Sequence, residues 1–151
     1  MLDLSFEKKE YPPYYYEVDR SKIKELCLAI GDDNPIFFDK EAAVKAGYKD
    51  TPAPLTFPTV MNFWGYPKIW EIMTEIGIDI KRLLHAKEAY EYFAPIYPGD
   101  KIKGTMQIES LRSSSLMEMA NFKTTYTRNE EVVLVAKMSI VVMPSGEEKD
   151  E

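Results

Sequence analysis

Cysteine and histidine are almost missing: the 151 residues contain one of each, Cys27 and His85. A single cysteine closes no disulfide within the chain. No histidine lies near Cys27 in sequence, so it reads as a small hydrophobe on an apolar helical stripe rather than a nucleophile. A transition-metal site would have to be built largely from carboxylates, and their spacing suggests none. CxxC, His-x-x-x-His, P-loop and GxGxxG patterns are all absent, so no metal and no cofactor are expected. No stretch approaches the roughly 18 apolar residues of a membrane span. Met1 to Glu10 also holds no apolar run of signal-peptide length. The expectation is a cytoplasmic chain with no membrane partner. Basic residues are outnumbered, 19 Lys and Arg against 25 Asp and Glu, for a net charge of −6. Phosphate binding needs clustered cations, so nucleic acid is not an expected partner.

What is present suits a single domain over residues 1–151: 45% hydrophobic and 29% charged residues, enough to bury one core. The run Tyr14-Tyr15-Tyr16 follows Pro12-Pro13 and suggests an extended entry segment. Asp19 or Ser21 can cap a helix whose apolar positions Ile23, Leu26, Cys27 and Ile30 recur at helical spacing before Gly31 stops it. After a turn at Asp32-Asp33-Asn34-Pro35, Asp39 caps a short second helix that Gly47 closes. Pro52, Pro54 and Pro58 hold the next stretch extended. Val60 to Trp64 and Ile69 to Ile76 then return to helical spacing, separated by Gly65 and Pro67.

The last third changes period. Ala89 to Ala94 alternates and is rich in Tyr and Phe, and a Pro98-Gly99-Asp100 turn precedes Lys101 to Leu111. Met117 to Thr127 and Glu131 to Met143 follow, with a turn near Arg128-Asn129-Glu130. These predict long antiparallel strands in a meander. Val132 to Val135 is nearly all apolar, which predicts a strand segment covered on both faces. An acidic tail starts at about residue 145. Helices first and strands last give an α+β fold, an antiparallel sheet with helices on one face.

Gly31-Asp32-Asp33-Asn34-Pro35-Ile36-Phe37 narrows the choice. It resembles the signature Gly-Asp-x-Asn-Pro-aliphatic-His of the MaoC-like (R)-specific enoyl-thioester hydratases and dehydratases. Thr51-Pro52-Ala53-Pro54-Leu55-Thr56-Phe57 is similar to the Val-Ala-Pro-Pro-Thr-Phe loop of the related FAS1-like dehydratase N-terminal domains. Leu84-His85, Tyr90-Glu91-Tyr92, Pro95 and Gly99-Asp100 resemble that family's His-Gly-x-Gln strand and Arg-Pro-x-x-x-Gly-Asp turn, with Ala86 and Glu88 in place of the Gly and Gln. The series runs in order along most of the chain.

The resemblance implies a hot-dog fold, an antiparallel sheet wrapped around a central helix, which dimerises. It implies a thioester of coenzyme A or acyl carrier protein as ligand, and either a second copy or another hot-dog chain as partner. Phe37 stands where the active family has its catalytic histidine. Phenylalanine cannot take a proton, and loss of a positioned acid/base typically costs about 10²–10⁴-fold in rate. The leading expectation is therefore the non-catalytic, acyl-binding subunit of a heteromeric hydratase or dehydratase. A homodimeric acyl-CoA binder, and an active homodimer using Asp32 and His85, stand beside it. Asp32 can orient a water or simply bond backbone N–H groups in its turn, and Asn34 can form the turn or bind a ligand. Asn34, Phe37, Pro54, Thr56 and Phe57 are the substrate-lining candidates.

Overall fold

The computed structural model describes residues 1–143; the acidic tail expected from about 145 lies outside them. Helix α1 spans Arg20–Ile30, α2 Lys40–Lys45, α3 Pro58–Phe63 and α4 Ile69–Glu75. Strands are β1 Tyr14–Glu17, β2 Leu83–Tyr92, β3 Lys101–Ser113, β4 Glu118–Arg128 and β5 Glu131–Val142. The strands form one antiparallel sheet in the order β1-β3-β4-β5-β2, so the α+β expectation holds.

Local chemistry sets the helix ends. Asp19 caps α1 by accepting from the Ser21 N–H at 2.7 Å, and the Gly31 N–H closes the other end on the carbonyls of Cys27 and Leu28. Ile23 and Cys27, one turn apart, are fully buried, whereas Ile30 at the end of the stripe is 53% exposed. Asp39 caps α2 through the Glu41 N–H at 3.0 Å. The covering helix comes in two short pieces because the chain turns between them at Gly65-Tyr66-Pro67. A Cβ on Gly65 would lie 2.5 Å from the Tyr16 ring and 2.7 Å from the Met61 carbonyl oxygen, so any larger residue would push β1 away.

The central strands form the expected meander, β3-β4-β5. β2 does not join it at the near side. It crosses the sheet and pairs with β5, from Leu83↔Val142 to Tyr92↔Leu134, and it begins earlier than the Tyr- and Phe-rich stretch suggests. Bulges set which face each side chain takes. On β3 the buried positions run Ile102, Met106 and Ile108, then shift parity to Leu111 across the irregularity between Ile108 and Ser110. The apolar run in β5 has the same origin. Val133 and Leu134 are both buried because the register slips beside them, while Val132 is 42% exposed. This corrects the expectation of a segment covered on both faces. Asn129 and Glu130, at φ 51° and 64°, make the tight hairpin turn joining β4 and β5.

The core fills the space between the inner sheet face and α1, α3 and α4, with Phe57, Met61, Ile69, Ile72, Met73 and Ile76 on the helical side. Asn62 of α3 carries a polar group into it. The Asn62 side-chain oxygen accepts from the hydroxyls of Tyr126 and of Tyr14, the latter at 3.5 Å, and the two hydroxyls are 3.1 Å apart. Tyr14 also stacks on Tyr66 with ring centroids 4.1 Å apart. Gly104, paired with Tyr14 across β1 and β3, leaves room for that ring; a Cβ there would come within 2.6 Å of it. Burial pushes both tyrosine hydroxyls well above their ordinary pKa, so they stay protonated donors. Asn62→Leu leaves the Tyr126 hydroxyl without its acceptor and is expected to cost about 1–3 kcal/mol, read as a lower urea midpoint with an unchanged slope.

Candidate functional site

The turn after α1, the proline loop and the chain leaving β2 meet around an apolar cavity of about 400 Å³. Ile36 and Phe37 come from the 3-10 turn Pro35–Phe37, Tyr48 from beyond α2, Ala53 and Leu55 from the proline loop, and Phe93 from the end of β2. Hydrogen bonds hold the loop against β2 and its continuation. The Ala53 N–H donates to the Ile96 carbonyl at 2.8 Å, and the Tyr92 hydroxyl donates to the Leu55 carbonyl at 2.8 Å. Leu55 is 70% exposed and Phe93 58%, so the rim is apolar as well as the wall. A cavity of this size and lining suits an apolar chain rather than a charged ligand.

Two polar clamps fix its frame. Arg20, at the start of α1, grips the Asp50 carboxylate with two bonds of 2.9 Å and the Thr51 hydroxyl at 2.8 Å, tying the loop entrance to the helix. Beyond β2, Asp100 of the Pro-Gly-Asp turn accepts from the Tyr97 N–H at 2.9 Å and from Arg128 on β4. Arg128 also reaches the Pro95 carbonyl at 3.0 Å. Both acidic residues hold backbone in place.

The residues singled out from sequence fall in different places. Phe37 lines the cavity. Asn34 is exposed and caps the 3-10 turn by accepting from the Ile36 N–H at 3.2 Å. Asp32 accepts from the Asn34 N–H at 3.1 Å and borders a separate cleft between α1 and α2 with Leu28 and Phe38. Pro54 is buried, Thr56 is exposed, and neither lines the cavity. Phe57 is fully buried in the core, with its ring edge-on to Tyr16 at 6.2 Å. His85 lies on β2, with Nε2 3.9 Å from a Glu88 carboxylate oxygen. Burial, with the Asp32 charge adding, pushes the Cys27 thiol up, which suits an inert core residue. Of the cavity lining, sequence picks out only Phe37; Ile36, Tyr48, Leu55, Tyr92, Phe93 and Ile96 are among the residues it does not. The Tyr- and Phe-rich alternation was a signal for Tyr92 and Phe93, and the proline loop for Leu55.

This sheet and the helices packed across it form a hot-dog fold, with an apolar cavity beside the Gly-Asp-x-Asn-Pro turn. A solved structure described as a MaoC-like dehydratase superposes with a TM-score of 0.81 at 24% identity, over 93% of this chain and 43% of that one. The HadBC (3R-hydroxyacyl-ACP dehydratase) complex from Mycobacterium tuberculosis superposes at 0.77, also at 24% identity, over 90% of this chain and 96% of the matched chain. Among proteins of this fold, the chain belongs to the FAS1-like dehydratase family: the model for the FAS1-like dehydratase domain region matches residues 8–136. A UPF0336 protein of Saccharopolyspora erythraea is 32% identical over 99% of this chain and 96% of its own length. Among the described residues no helix is long and apolar enough to cross a membrane.

The Arg20 clamp predicts a pH dependence. Arg20 holds the Asp50 carboxyl at about 2, below its ordinary 3.8. A depressed carboxyl adds stability that is present above its unfolded pKa and lost as the pH falls from about 4 to about 2. Because Arg20 is half exposed, the contribution is roughly 1 kcal/mol. Urea midpoints measured between pH 5 and pH 2 are expected to fall less steeply in Asp50→Asn than in the wild type.

Proposed function

We propose that this chain is the acyl-thioester-binding subunit of an (R)-specific enoyl-thioester hydratase or 3-hydroxyacyl-thioester dehydratase. A second hot-dog chain carrying the motif histidine supplies the chemistry. The observation that carries this reading is Phe37, an apolar ring in the cavity wall at the motif's histidine position. A hydratase needs a group that takes a proton from water and returns one to carbon. Phe37 does neither, and Asp32 spends an oxygen on its own turn and opens into another cleft. What remains around the cavity is a surface for an acyl chain.

Two features support a partner. Among the described residues β2 ends the sheet, with one side of a ten-residue strand having no neighbour, and open edges of this length favour pairing with another strand. Exposed Leu84 and Phe93 lie at either end of that region. The HadBC structure from Mycobacterium tuberculosis is a complex, described as a 3R-hydroxyacyl-ACP dehydratase, which fits a two-chain arrangement.

The deciding assay is hydration of crotonyl-CoA and of a longer enoyl-CoA, followed as loss of enoyl absorbance. Turnover is expected with a co-expressed motif-complete chain, and none above background with this chain alone. Robust turnover by the lone chain would overturn the reading. Retention of acyl-CoA by a stable homodimer, with no gain on mixing, would replace it with a binding protein. Leu55→Asp puts a charge at the cavity mouth and is expected to weaken butyryl-CoA binding about tenfold or more by calorimetry. As an exposed position, it should change stability by less than about 0.5 kcal/mol.

A further inference from the structure

The open edge of β2 carries a charge pattern that is complementary to itself. Lys87, Ala89 and Glu91 are exposed on the outer face, and Glu88, Tyr90 and Tyr92 between them are half-buried on the inner one. Lys87 and Glu91 lie four residues apart, about 13 Å along a strand, too far to meet each other. Among the described residues neither takes part in an ion pair. Lys137, opposite Ala89 on β5, is already paired with Glu109 at 3.4 Å.

The ladder fixes which backbone groups are free. The Phe93 N–H donates to the Val133 carbonyl at 2.9 Å, and the register runs without a slip from Lys87↔Ser139 to Tyr92↔Leu134. In an antiparallel ladder a residue turns its N–H and C=O to one side, and the next residue turns them to the other. Glu91, Ala89 and Lys87 therefore face β5 with their backbone groups. Glu88, Tyr90 and Tyr92 turn theirs to the open edge.

A second copy can meet that edge in few registers. Two identical strands pair about a two-fold axis, and an axis through the sheet keeps outer positions opposite outer positions. Centring on Glu88 sets two carboxylates against each other. Centring on Tyr90 leaves Lys87 opposite Phe93 and Glu91 opposite Ala89. Centring on Ala89 brings Lys87 opposite Glu91 of the second copy, twice by symmetry, with only two methyl groups at the axis. Glu88 and Tyr90 then exchange backbone bonds across the edge. Lys87 and Glu91 become a non-hydrogen-bonded pair, the kind whose side chains approach most closely.

We infer that β2 pairs with β2 of a second copy of this chain, in register about Ala89. The pairing needs no ligand, and a motif-complete chain takes the same edge by displacing the second copy.

The test is sedimentation equilibrium of the full chain at low ionic strength, where exposed charges are least screened. The samples are the wild type, Lys87→Glu, Glu91→Lys and an equal mixture of the two variants. Both positions are exposed, so neither change disturbs the core. The wild type is expected to be a dimer. Each substitution sets like charges opposite each other at two places and should weaken dimerisation about tenfold or more. Net charge alone cannot do this, because one substitution makes the chain more acidic and the other less. In the mixture one strand offers two carboxylates and the other two ammonium groups, so mixed dimers of wild-type affinity should form. A monomeric wild type overturns the pairing and makes Lys87 and Glu91 guards of an open edge. A dimer that either substitution leaves intact, or that mixing fails to restore, overturns it as well. The enoyl-CoA assay decides the thioester reading separately.

Discussion

The apolar face of a five-stranded sheet has to be covered, and this chain has only short helices to do it. Every other feature answers to that constraint. The strands bury Met106, Phe122, Tyr126, Leu134 and Ile140 on one side. The helices return Met61, Ile69, Ile72 and Met73 from the other. At about 25 cal/mol per Å² of apolar area removed from water, that layer is the main source of stability. Its cost is that helices of six and seven residues cannot be stable alone and depend on the sheet for their form.

A purely apolar layer would leave α3 free to slide. Asn62 fixes its position, because a single side-chain oxygen satisfies hydroxyls from β1 and β4 together. Thr59, one turn earlier, touches the β2 pair Glu88 and Tyr90. One short helix thus meets both edges of the sheet through polar contacts and its middle through apolar ones. The proline loop that leads into it is held by Arg20 and by β2 and its continuation, so the cavity wall is as firmly placed as the core.

Phe37 and its neighbours offer apolar surface, which is non-directional and tolerant of chain length. A phenylalanine ring cannot take or return a proton, so at this position the cavity wall is apolar.

The sequence by itself determined much of this. Helix ends were legible because Asp19, Asp39, Gly31 and Gly47 act on their own neighbours, and capping is a local interaction. The strand series β3 to β5 followed from alternation, and the family from a run of short motifs in order. Phe37 was visible as a departure because its consequence is chemical. Other properties were decided only by tertiary structure. β2 could have paired with β3 or β5, since both offer an antiparallel edge, and sheet coverage made the choice. Bulges at Ala86, near Glu109 and at Val133 reverse the parity of every residue beyond them, and an extra residue leaves no mark in hydrophobic pattern until its partner strand is known. For that reason Val132 to Val135 looked doubly buried, and His85 and Glu88 did not look like neighbours. Asp32 and Phe37, close in the motif, separate into different cavities because a 3-10 turn rotates the chain between them. A motif fixes spacing along the chain, and only packing fixes which side of it meets the ligand.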